Sequence, residues 1–302
     1  MSAINGGFDL HLHTYWSYDA CAAVEGYFRL ASEKKARAIA ITEHFTMDSL
    51  PDVLTAAKQY PDVRFIAGAE MTVTTSRGAI DMVCLGLPLA VPAELETIFE
   101  RYRQWQRDIG ELQSKSMCAL GYEFSRETRL KLLRRYRPEK AIQKQGATHV
   151  SGYLLRQIFK EWGFIAKEED FGSFMEKVYK DAPVSPYPSA KDVLPVIKKH
   201  GGVVFIAHPL HYFKRDCLTT MDALREELGF DGIECAHSTI PTELTAFYRD
   251  YCVKHKLLST AGSDCHSTPD QARMRFAEEC EFLRHCGDRS WFDEILERVT
   301  PQ

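Results

Sequence analysis

Short apolar stretches that end in histidine or carboxylate residues recur along this chain of 302 residues. One stretch ends in His11 and His13, and a second pair with the same spacing, Asp264 and His266, ends another stretch near the far end. Residues i and i+2 of a strand point to the same face, so both members of a pair can reach one point. Three further stretches end in similar residues, namely His44, Glu70 and His208. The pattern predicts one metal site at the carboxyl ends of several parallel strands.

Seven apolar stretches have the length of strands, and helical patterns lie between most of them. They cover approximately residues 7–12, 38–42, 63–68, 79–86, 202–207, 231–235 and 258–263. We interpret all seven as buried parallel strands, because such strands are near-continuous apolar runs. Alternating strands and helices indicate an α/β fold, and repeated polar residues at strand ends favour closure of the sheet into a barrel.

One connection interrupts this alternation. More than one hundred residues separate the fourth predicted strand, which ends near Leu87, from the fifth, which starts near Gly202. A structureless loop of that length is implausible in a compact domain, and the segment carries helical patterns. We therefore predict a barrel formed by residues 1–98 and 186–302, with residues 99–185 as an inserted helical subdomain.

Composition excludes several classes of protein. The formal net charge of −4 argues against a general polyanion binder, and no run of about 18 apolar residues predicts a membrane span. The first residues lack the pattern of a secretory signal. Nine cysteines without a Cys-x-x-Cys motif indicate reduced thiols and a cytoplasmic location. The sequence indicates no obligate protein partner.

Basic residues concentrate in the predicted insert. Between Glu100 and Gln145 there are 12 lysines and arginines against 6 acidic residues. One interpretation is a solvated helix surface, since such surfaces are often rich in charge. The other is a basic lid, including Arg134, Arg135 and Arg137, that attracts an anionic substrate to the metal site.

The motifs, taken in order, resemble the polymerase-and-histidinol-phosphatase (PHP) family of metal-dependent phosphoesterases. The matching segments are DLHLH (9–13), SYD (17–19), TEH (42–44), GAE (68–70), IAHP (206–209), GIE (232–234) and GSDCH (262–266). The resemblance implies a distorted (β/α)7 barrel that binds two or three divalent ions of manganese, zinc or iron. It also implies an enzyme that hydrolyses phosphate esters through attack of a metal-bound hydroxide at phosphorus, without a side-chain nucleophile.

The resemblance assigns the metal ligands to three groups. The first metal would be bound by His11, His13, Glu70 and Asp264; the second by Glu70, as a bridge, and His208; the third by Asp19, His44 and His266. The family usually has one more histidine in the fourth strand, and Asp81 stands at that position here. A carboxylate is also a competent ligand, and it can alter the metal preference. Glu43 and Glu234 are expected to support histidine ligands from behind.

The substrate is indicated by the insert. The layout resembles a subgroup whose members act on nucleoside 3′,5′-bisphosphates or trim 5′-phosphorylated RNA. Those members hold a substrate phosphate with an Arg-x-His pair in the insert, and here His149 and Arg156 are the candidate replacements. Trp16 is a candidate to stack on a base, with packing at the barrel mouth as the alternative. His237, just beyond a predicted strand, is a further candidate for substrate contact.

Three other functions remain open from the sequence. The chain can be interpreted as a histidinol-phosphatase-like enzyme that acts on a small metabolite. An amidohydrolase barrel also opens with His-x-His, although the terminal Asp-x-His fits phosphoesterases better. A non-catalytic PHP module would be expected to lack metal ligands. Here only Asp81 differs from the ligand set of the family, and aspartate is itself able to bind metal.

Overall fold

The computed structural model describes residues 7–167, 170–213, 217–269, 282–284 and 287–299. Its seven strands form one sheet in chain order. They are β1 (Phe8–Leu12), β2 (Ala38–Ile41), β3 (Arg64–Thr75), β4 (Gly78–Leu85), β5 (Val203–Ile206), β6 (Gly232–Ala236) and β7 (Leu258–Ala261). Neighbouring strands pair in parallel except at β4. The predicted α/β fold is confirmed, and the sheet is mostly parallel.

The prediction that all seven strands run parallel is wrong for β4. This strand is antiparallel to both β3 and β5. Only Ser76 and Arg77 separate β3 from β4. A turn of two residues can join antiparallel strands only, because parallel neighbours need a crossover of about a dozen residues or more. As part of this hairpin, β3 continues to Thr75, beyond its predicted end at residue 68.

Backbone hydrogen bonds just beyond β7 bring the last strand against the first. His13 N–H donates to the carbonyl of Cys265, and Asp264 N–H donates to the carbonyl of His11, both at 2.9 Å. The buried carboxylate of Asp9 strengthens this junction by accepting the backbone N–H groups of Ser263 at 3.0 Å and Leu283 at 3.1 Å. Burial raises the pKa of Asp9 to about 6. The sheet therefore meets itself next to the predicted ligands.

Helices surround the sheet and fill the long connection. Those beside the sheet are α1 (Val24–Glu33), α2 (Leu50–Gln59), α8 (Ala190–Lys199), α9 (Leu210–Phe213), α10 (Leu218–Leu228), α11 (Thr242–His255) and α12 (Arg289–Leu296). Those between β4 and α8 are α3 (Ala93–Ala119), α4 (Arg126–Leu133), α5 (Glu139–Gln145), α6 (Gly152–Glu161) and α7 (Asp170–Val178). Within the described ranges, no helix is both long enough and apolar enough to cross a membrane.

The helices between β4 and α8 have an apolar cluster of their own. Met117, Phe124, Leu133, Ile158 and Phe159 are buried in it. Most of the remaining buried apolar side chains belong to two further clusters, and both clusters contain residues of the strands. The division at residues 99 and 185 stays a prediction. Residues 1–6, 214–216, 270–281, 285–286 and 300–302 of the predicted barrel and residues 168–169 of the predicted insert lie outside the described residues.

Candidate metal centre

All nine side chains predicted to bind metal lie around one cavity of about 500 Å³. Seven line it, namely Asp19, His44, Glu70, Asp81, His208, Asp264 and His266. His11 and His13 are fully buried and lie within 3.5 Å of Glu70 and Asp264. Glu70 lies in the middle of β3 rather than at a strand end, because β3 extends into the hairpin with β4.

Four donor groups converge on one point beside β1. The Nε2 atoms of His11 and His13 are 3.2 Å apart. Oxygens of Glu70 lie 3.4 Å and 3.3 Å from these two nitrogens, and Asp264 Oδ1 lies 3.5 Å and 3.1 Å from them. Donors that bind a cation tetrahedrally at about 2.0–2.1 Å stand about 3.3 Å apart. The spacings among these four side chains are close to those of a bound divalent cation, with Glu70 presenting Oε1 to His11 and Oε2 to His13.

A second group shares Glu70 with the first. Glu70 Oε1 lies 3.1 Å from His208 Nε2, and Asp81 Oδ2 lies 3.8 Å from the same nitrogen. The hydroxyls of Thr72 and Tyr212 donate to the two oxygens of Asp81. The carboxylate that replaces the expected histidine thus has a fixed orientation and reaches the cavity.

The third group is built around stacked imidazoles. The rings of His44 and His266 stack on His13 at centroid distances of 4.2 Å and 4.3 Å. Nitrogen atoms of these three histidines lie within 4.8 Å of one another. Asp19 oxygens lie 3.6 Å from His44 Nε2 and 3.5 Å from His266 Nε2. His13 therefore borders this group as well as the first.

The cavity is negatively charged. In the part of the chain that the structure describes, no basic side chain lines the cavity to offset this charge. Four of its lining residues are carboxylates, and none of the described ones is lysine or arginine. Glu70 Oε2 and Asp264 Oδ1 are buried without a hydrogen bond, although histidine nitrogens approach them to 2.9 Å and 3.1 Å. Buried charge requires a counter-charge. Mixed imidazole and carboxylate donors that crowd together in this way fit divalent transition metals.

The histidine pKa values reflect the same charge. Burial alone lowers the pKa of His208, but its hydrogen bond to Glu70 and the nearby negative charge raise that pKa to about 9 overall. Against the effect of burial, carboxylates including Glu70 also raise the pKa values of His11 and His44 well above the ordinary value. Protons on these rings are the counter-charge in the metal-free protein.

Residues behind the site fix the orientation of two histidines. Glu234 Oε1 lies 3.1 Å from His11 Nδ1, which directs the Nε2 atom of that ring to the first group. Ser17 Oγ donates its only hydrogen to Glu43 and accepts the backbone N–H of His44 at 3.1 Å. Because that hydrogen is already used, the hydrogen bond of 3.0 Å between Ser17 Oγ and His13 is donated by the ring Nδ1–H. Both supporting glutamates were predicted from the sequence. Such contacts hold a metal-binding imidazole in the correct tautomer.

Two of the candidate ligands have left-handed backbone conformations. The φ angle is 28° at His208 and 53° at Asp264, which is unfavourable for residues that have a Cβ atom and costs about 1–3 kcal/mol at each position. Hydrogen bonds hold both in place: His208 N–H donates to Glu234 Oε2 at 2.7 Å, and Asp264 N–H donates to the His11 carbonyl at 2.9 Å. Such strain is typical of functional sites.

Gly262 allows the backbone at the end of β7 to approach His11. Addition of a single methyl group at this position is therefore expected to have a large effect. A Cβ atom at this position would lie 2.2 Å from His11 Cβ and 2.5 Å from Glu234 Oε1. We expect Gly262→Ala to lower the free energy of unfolding by about 1–3 kcal/mol and to weaken metal binding by about 10–100-fold. Denaturant unfolding and metal titration would measure the two effects.

Gly172 provides the matched control. It lies in α7, and a Cβ atom there would meet nothing within 4 Å. Gly172→Ala is expected to leave metal affinity unchanged and to stabilise the protein slightly, because alanine favours helix more than glycine does. Wild-type metal affinity in Gly262→Ala would contradict the importance of this close approach.

The four predicted substrate contacts lie at different distances from the cavity. His237 lines it and is buried, with its ring 5.7 Å from that of His208. His149 is buried behind Tyr18, which itself lines the cavity, at a ring distance of 4.8 Å. Burial lowers the pKa of His149 to about 4, so this ring is neutral at physiological pH.

The other two contacts are not brought to the cavity. Trp16 is buried and donates its indole N–H to Asp52 at 2.8 Å, which agrees with the packing alternative. Arg156 is exposed on α6, with its guanidinium over the ring of Phe171. Neither lines the cavity, and their roles as substrate contacts stay predictions.

Sequence reasoning missed part of the cavity lining. Tyr153 reaches the cavity from α6 of the insert, and Ser238 and Thr239 reach it from the loop after β6. The run of polar residues directly after a predicted strand was a signal for the latter two. Tyr153 gave no such signal, because its position depends on how α6 packs against the sheet.

Comparison with known proteins identifies the family. A family model described as the PHP domain matches residues 9–180, which is more than half of the chain. A phosphoribosyl 1,2-cyclic phosphate 1,2-diphosphodiesterase from Eggerthella lenta is 25% identical over 85% of this chain and 93% of its own. A 3′,5′-nucleoside bisphosphate phosphatase from Chromobacterium violaceum is 24% identical over 88% of this chain and 89% of its own.

A solved structure agrees in fold. The crystal structure of a protein from Bifidobacterium adolescentis, provisionally described as a metal-dependent phosphoesterase, superposes with a TM-score of 0.74 at 20% identity. The match covers 98% of this chain and 97% of the other. Together with the matched family model, the motifs and the cluster of ligands show that this chain belongs to the PHP domain family and is a metal-dependent phosphoesterase.

Proposed function

We propose that this protein hydrolyses a phosphate ester of a small phosphorylated ribose or nucleotide, with a nucleoside 3′,5′-bisphosphate as the leading candidate. The observation that carries the proposal is a cluster of four side chains beside an acidic cavity, namely His11, His13, Glu70 and Asp264. The histidine nitrogens lie 3.1–3.5 Å from each other and from the nearest carboxylate oxygens. A cavity of about 500 Å³ suits a small ligand. The two relatives named above act on a ribose phosphate and a nucleoside bisphosphate, which supports this substrate class.

The side chains of this protein prepare the site for such a reaction. Glu234 and Ser17 hold the Nδ1 side of His11 and His13, so both Nε2 atoms are available as ligands. Glu70 would join the first and second groups, while Asp19 would complete the third. When bound, divalent ions offset the charge of phosphoryl oxygens and supply hydroxide at neutral pH. No side-chain nucleophile is required.

His237 is the residue that we assign to substrate contact. Its Nδ1 accepts the backbone N–H of Thr239 at 3.1 Å, so the ring proton is on Nε2. That atom is buried and has no hydrogen-bond partner among the residues that the structure describes. A neutral imidazole in this tautomer is a hydrogen-bond donor rather than a metal ligand, and a phosphate or ribose oxygen is the acceptor that suits it.

The decisive experiment measures product formation by manganese-loaded protein. We would compare adenosine 3′,5′-bisphosphate, phosphoribosyl 1,2-cyclic phosphate, a 5′-phosphorylated RNA oligonucleotide and histidinol phosphate. The expected result is turnover of the bisphosphate, lost in His13→Ala and kept in His200→Ala. His200 is a matched control, because it lies at the surface and pairs with Glu94 at 2.9 Å.

Each other outcome changes the assignment. Selective turnover of the cyclic phosphate or the oligonucleotide would keep the phosphoesterase and replace the leading substrate. Selective turnover of histidinol phosphate would overturn the ribose-based proposal. Equal activity of His13→Ala and wild-type protein would contradict the proposed metal centre itself.

A further inference from the structure

Three side chains of the insert bind the backbone of the loop that joins β1 to α1. This loop, residues 13–23, carries His13, Ser17 and Asp19. The hydrogen bonds run from Tyr136 Oη to the Tyr18 carbonyl at 2.9 Å, from Arg137 Nε to the Tyr15 carbonyl at 3.0 Å, and from Gln145 Nε2 to the Trp16 carbonyl at 3.1 Å. The insert therefore contacts the loop at three carbonyls within four residues.

These side chains are themselves fixed within the insert. Arg137 donates to Gln145 Oε1 and, at 3.0 Å, to Thr148 Oγ1. The hydroxyl of Tyr136 accepts the backbone N–H of Ser151 at 3.2 Å. Arg137 and Gln145 are therefore linked to each other, while Tyr136 is held separately through Ser151. Linked hydrogen bonds restrain side chains more than isolated hydrogen bonds do.

Arg137 is an unusual residue for a purely structural contact. It is only 2% exposed, and among the described residues its hydrogen bonds go to three neutral oxygens. A buried guanidinium without a charged partner is unfavourable unless its N–H groups are bonded. One of its bonds goes to the loop, so the loop carbonyl is part of what makes this buried cation tolerable.

The loop places two side chains, those of Ser17 and Asp19, at the metal centre. Ser17 Oγ lies 3.0 Å from His13 Nδ1 and 3.1 Å from the backbone nitrogen of His44. Asp19 lies next to His44 and His266 in the third group. His11 and Glu70 lie on strands instead, so their positions do not depend on this loop.

We propose that Tyr136, Arg137 and Gln145 are positioning residues, which hold Ser17 and Asp19 against the metal centre so that the third metal-binding group depends on the insert. The inference rests on the proposed metal centre. It gives part of the basic segment a role that differs from a lid, because Arg137 faces the loop backbone and does not line the cavity.

The test compares two equally drastic changes at buried arginines. Arg137→Met removes the contact with the loop. Arg129→Met is the matched control, because Arg129 is fully buried in the insert and its hydrogen bonds go to insert residues: Gly110, Ser114, Glu111 and Ala147. Each metal-free protein would be titrated with Mn²⁺, with the number of bound ions and the affinity of each step as readouts.

In Arg137→Met we expect at least one Mn²⁺-binding step, the one that uses Asp19, to lose about tenfold or more in affinity, because loss of supporting contacts at metal sites typically has this effect. kcat should fall more than KM rises. Arg129→Met should keep every binding step. Equal losses in both variants, or no loss in Arg137→Met, would overturn the proposal.

A milder variant keeps the test valid if the methionine variants do not fold. Tyr136→Phe removes one hydroxyl and keeps the ring, and it should weaken the same Mn²⁺-binding step. Unchanged binding in folded Tyr136→Phe would overturn the proposal in that case. The wild-type titration separates the hypothesis of a metal centre from the hypothesis that these residues position the loop. If wild-type protein binds no Mn²⁺, the proposed metal centre is wrong, and this inference is wrong with it.

Discussion

Replacement of Glu70 by glutamine is expected to abolish binding of at least one metal ion and to lower kcat by about 10³-fold or more, which corresponds to about 4 kcal/mol of transition-state stabilisation. Oxygens of Glu70 lie 3.4 Å from His11, 3.3 Å from His13, 2.9 Å from His44 and 3.1 Å from His208. No other side chain contacts all four rings among the described residues. An amide group brings N–H donors to a point that needs anionic oxygen, and it removes the charge that a bridging ligand supplies.

The loss in Glu70→Gln should occur without unfolding. Glu70 is a buried carboxylate whose counter-charge in the metal-free protein consists of protonated histidines. The pKa of Glu70 is held well below its ordinary value by these histidines, so the ionised carboxylate stabilises the folded metal-free protein at neutral pH. The metal-free variant should therefore stay folded at assay temperature but melt at a lower temperature than metal-free wild type, because the histidines lose their buried partner. Metal content after dialysis, steady-state kinetics and thermal melting in a chelator would measure the three effects.

A matched control separates this effect from loss of negative charge in general. Glu94 is an exposed glutamate that pairs with Lys199 and His200 at the surface. Glu94→Gln makes the same chemical change and should keep metal content and kcat. Folded Glu70→Gln protein with wild-type metal content would contradict the bridging role of Glu70.

The clustering of the candidate ligands could be predicted because their geometry is local. His11 and His13 share a face through the two-residue period of a strand, and strand ends of a parallel sheet meet at one edge. The motif order then indicated which side chains meet. Asp81 was found through the family pattern rather than through periodicity, since a single acid in a strand gives no signal of its own.

The direction of β4 could not be inferred from its apolar pattern. Buried parallel and antiparallel strands both read as continuous apolar runs, so only the connection between β3 and β4 carried the information. The shortness of that connection was hidden because β3 continues seven residues beyond its predicted end, through polar residues such as Thr72 and Thr74. These residues read as a loop because the second half of the strand is less apolar.

The contacts of Tyr136, Arg137 and Gln145 with the loop after β1 could not be predicted from the sequence for a different reason. Arg137 reads as one of several basic residues on a helical surface, yet it is buried against the loop after β1. Side-chain burial here depends on the packing of two units that are distant in the sequence. Arg134, by contrast, is exposed and pairs with Glu139 at 2.9 Å, as expected for a solvated surface.

The apparent affinity for Mn²⁺ is expected to fall by about 100-fold for each pH unit below neutrality, since two displaced protons each contribute a factor of about ten per unit. A metal ion must displace protons from imidazoles to bind. The pKa of His208 is about 9 in the metal-free protein, and those of His11 and His44 are well above their ordinary value. Several rings are therefore protonated at pH 7 and must release their protons.

The sign of the stability change follows from the same pKa values. A histidine whose pKa is raised from 6.5 to about 9 stabilises the folded metal-free protein fully below pH 6.5, and this contribution is lost as the pH rises through 9. The pKa of Glu70 is held well below its ordinary value, so that carboxylate stays ionised throughout this range. Between pH 6.5 and 9 the metal-free protein should therefore become less stable, while the stabilisation gained on adding Mn²⁺ should increase.

Thermal melting across this pH range, with a chelator and with saturating Mn²⁺, would show the two opposite trends. Calorimetric titration at pH 7 in buffers of different ionisation enthalpy would count the released protons, and we expect about two for the first ions bound. Glu70→Gln, which should bind poorly, is the control, and its melting temperature should respond little to Mn²⁺. Binding without proton release at pH 7 would contradict a centre in which protonated histidines balance the carboxylates. That result would place the metal ions on the carboxylates alone, because carboxylates are already ionised at this pH and release no protons on binding.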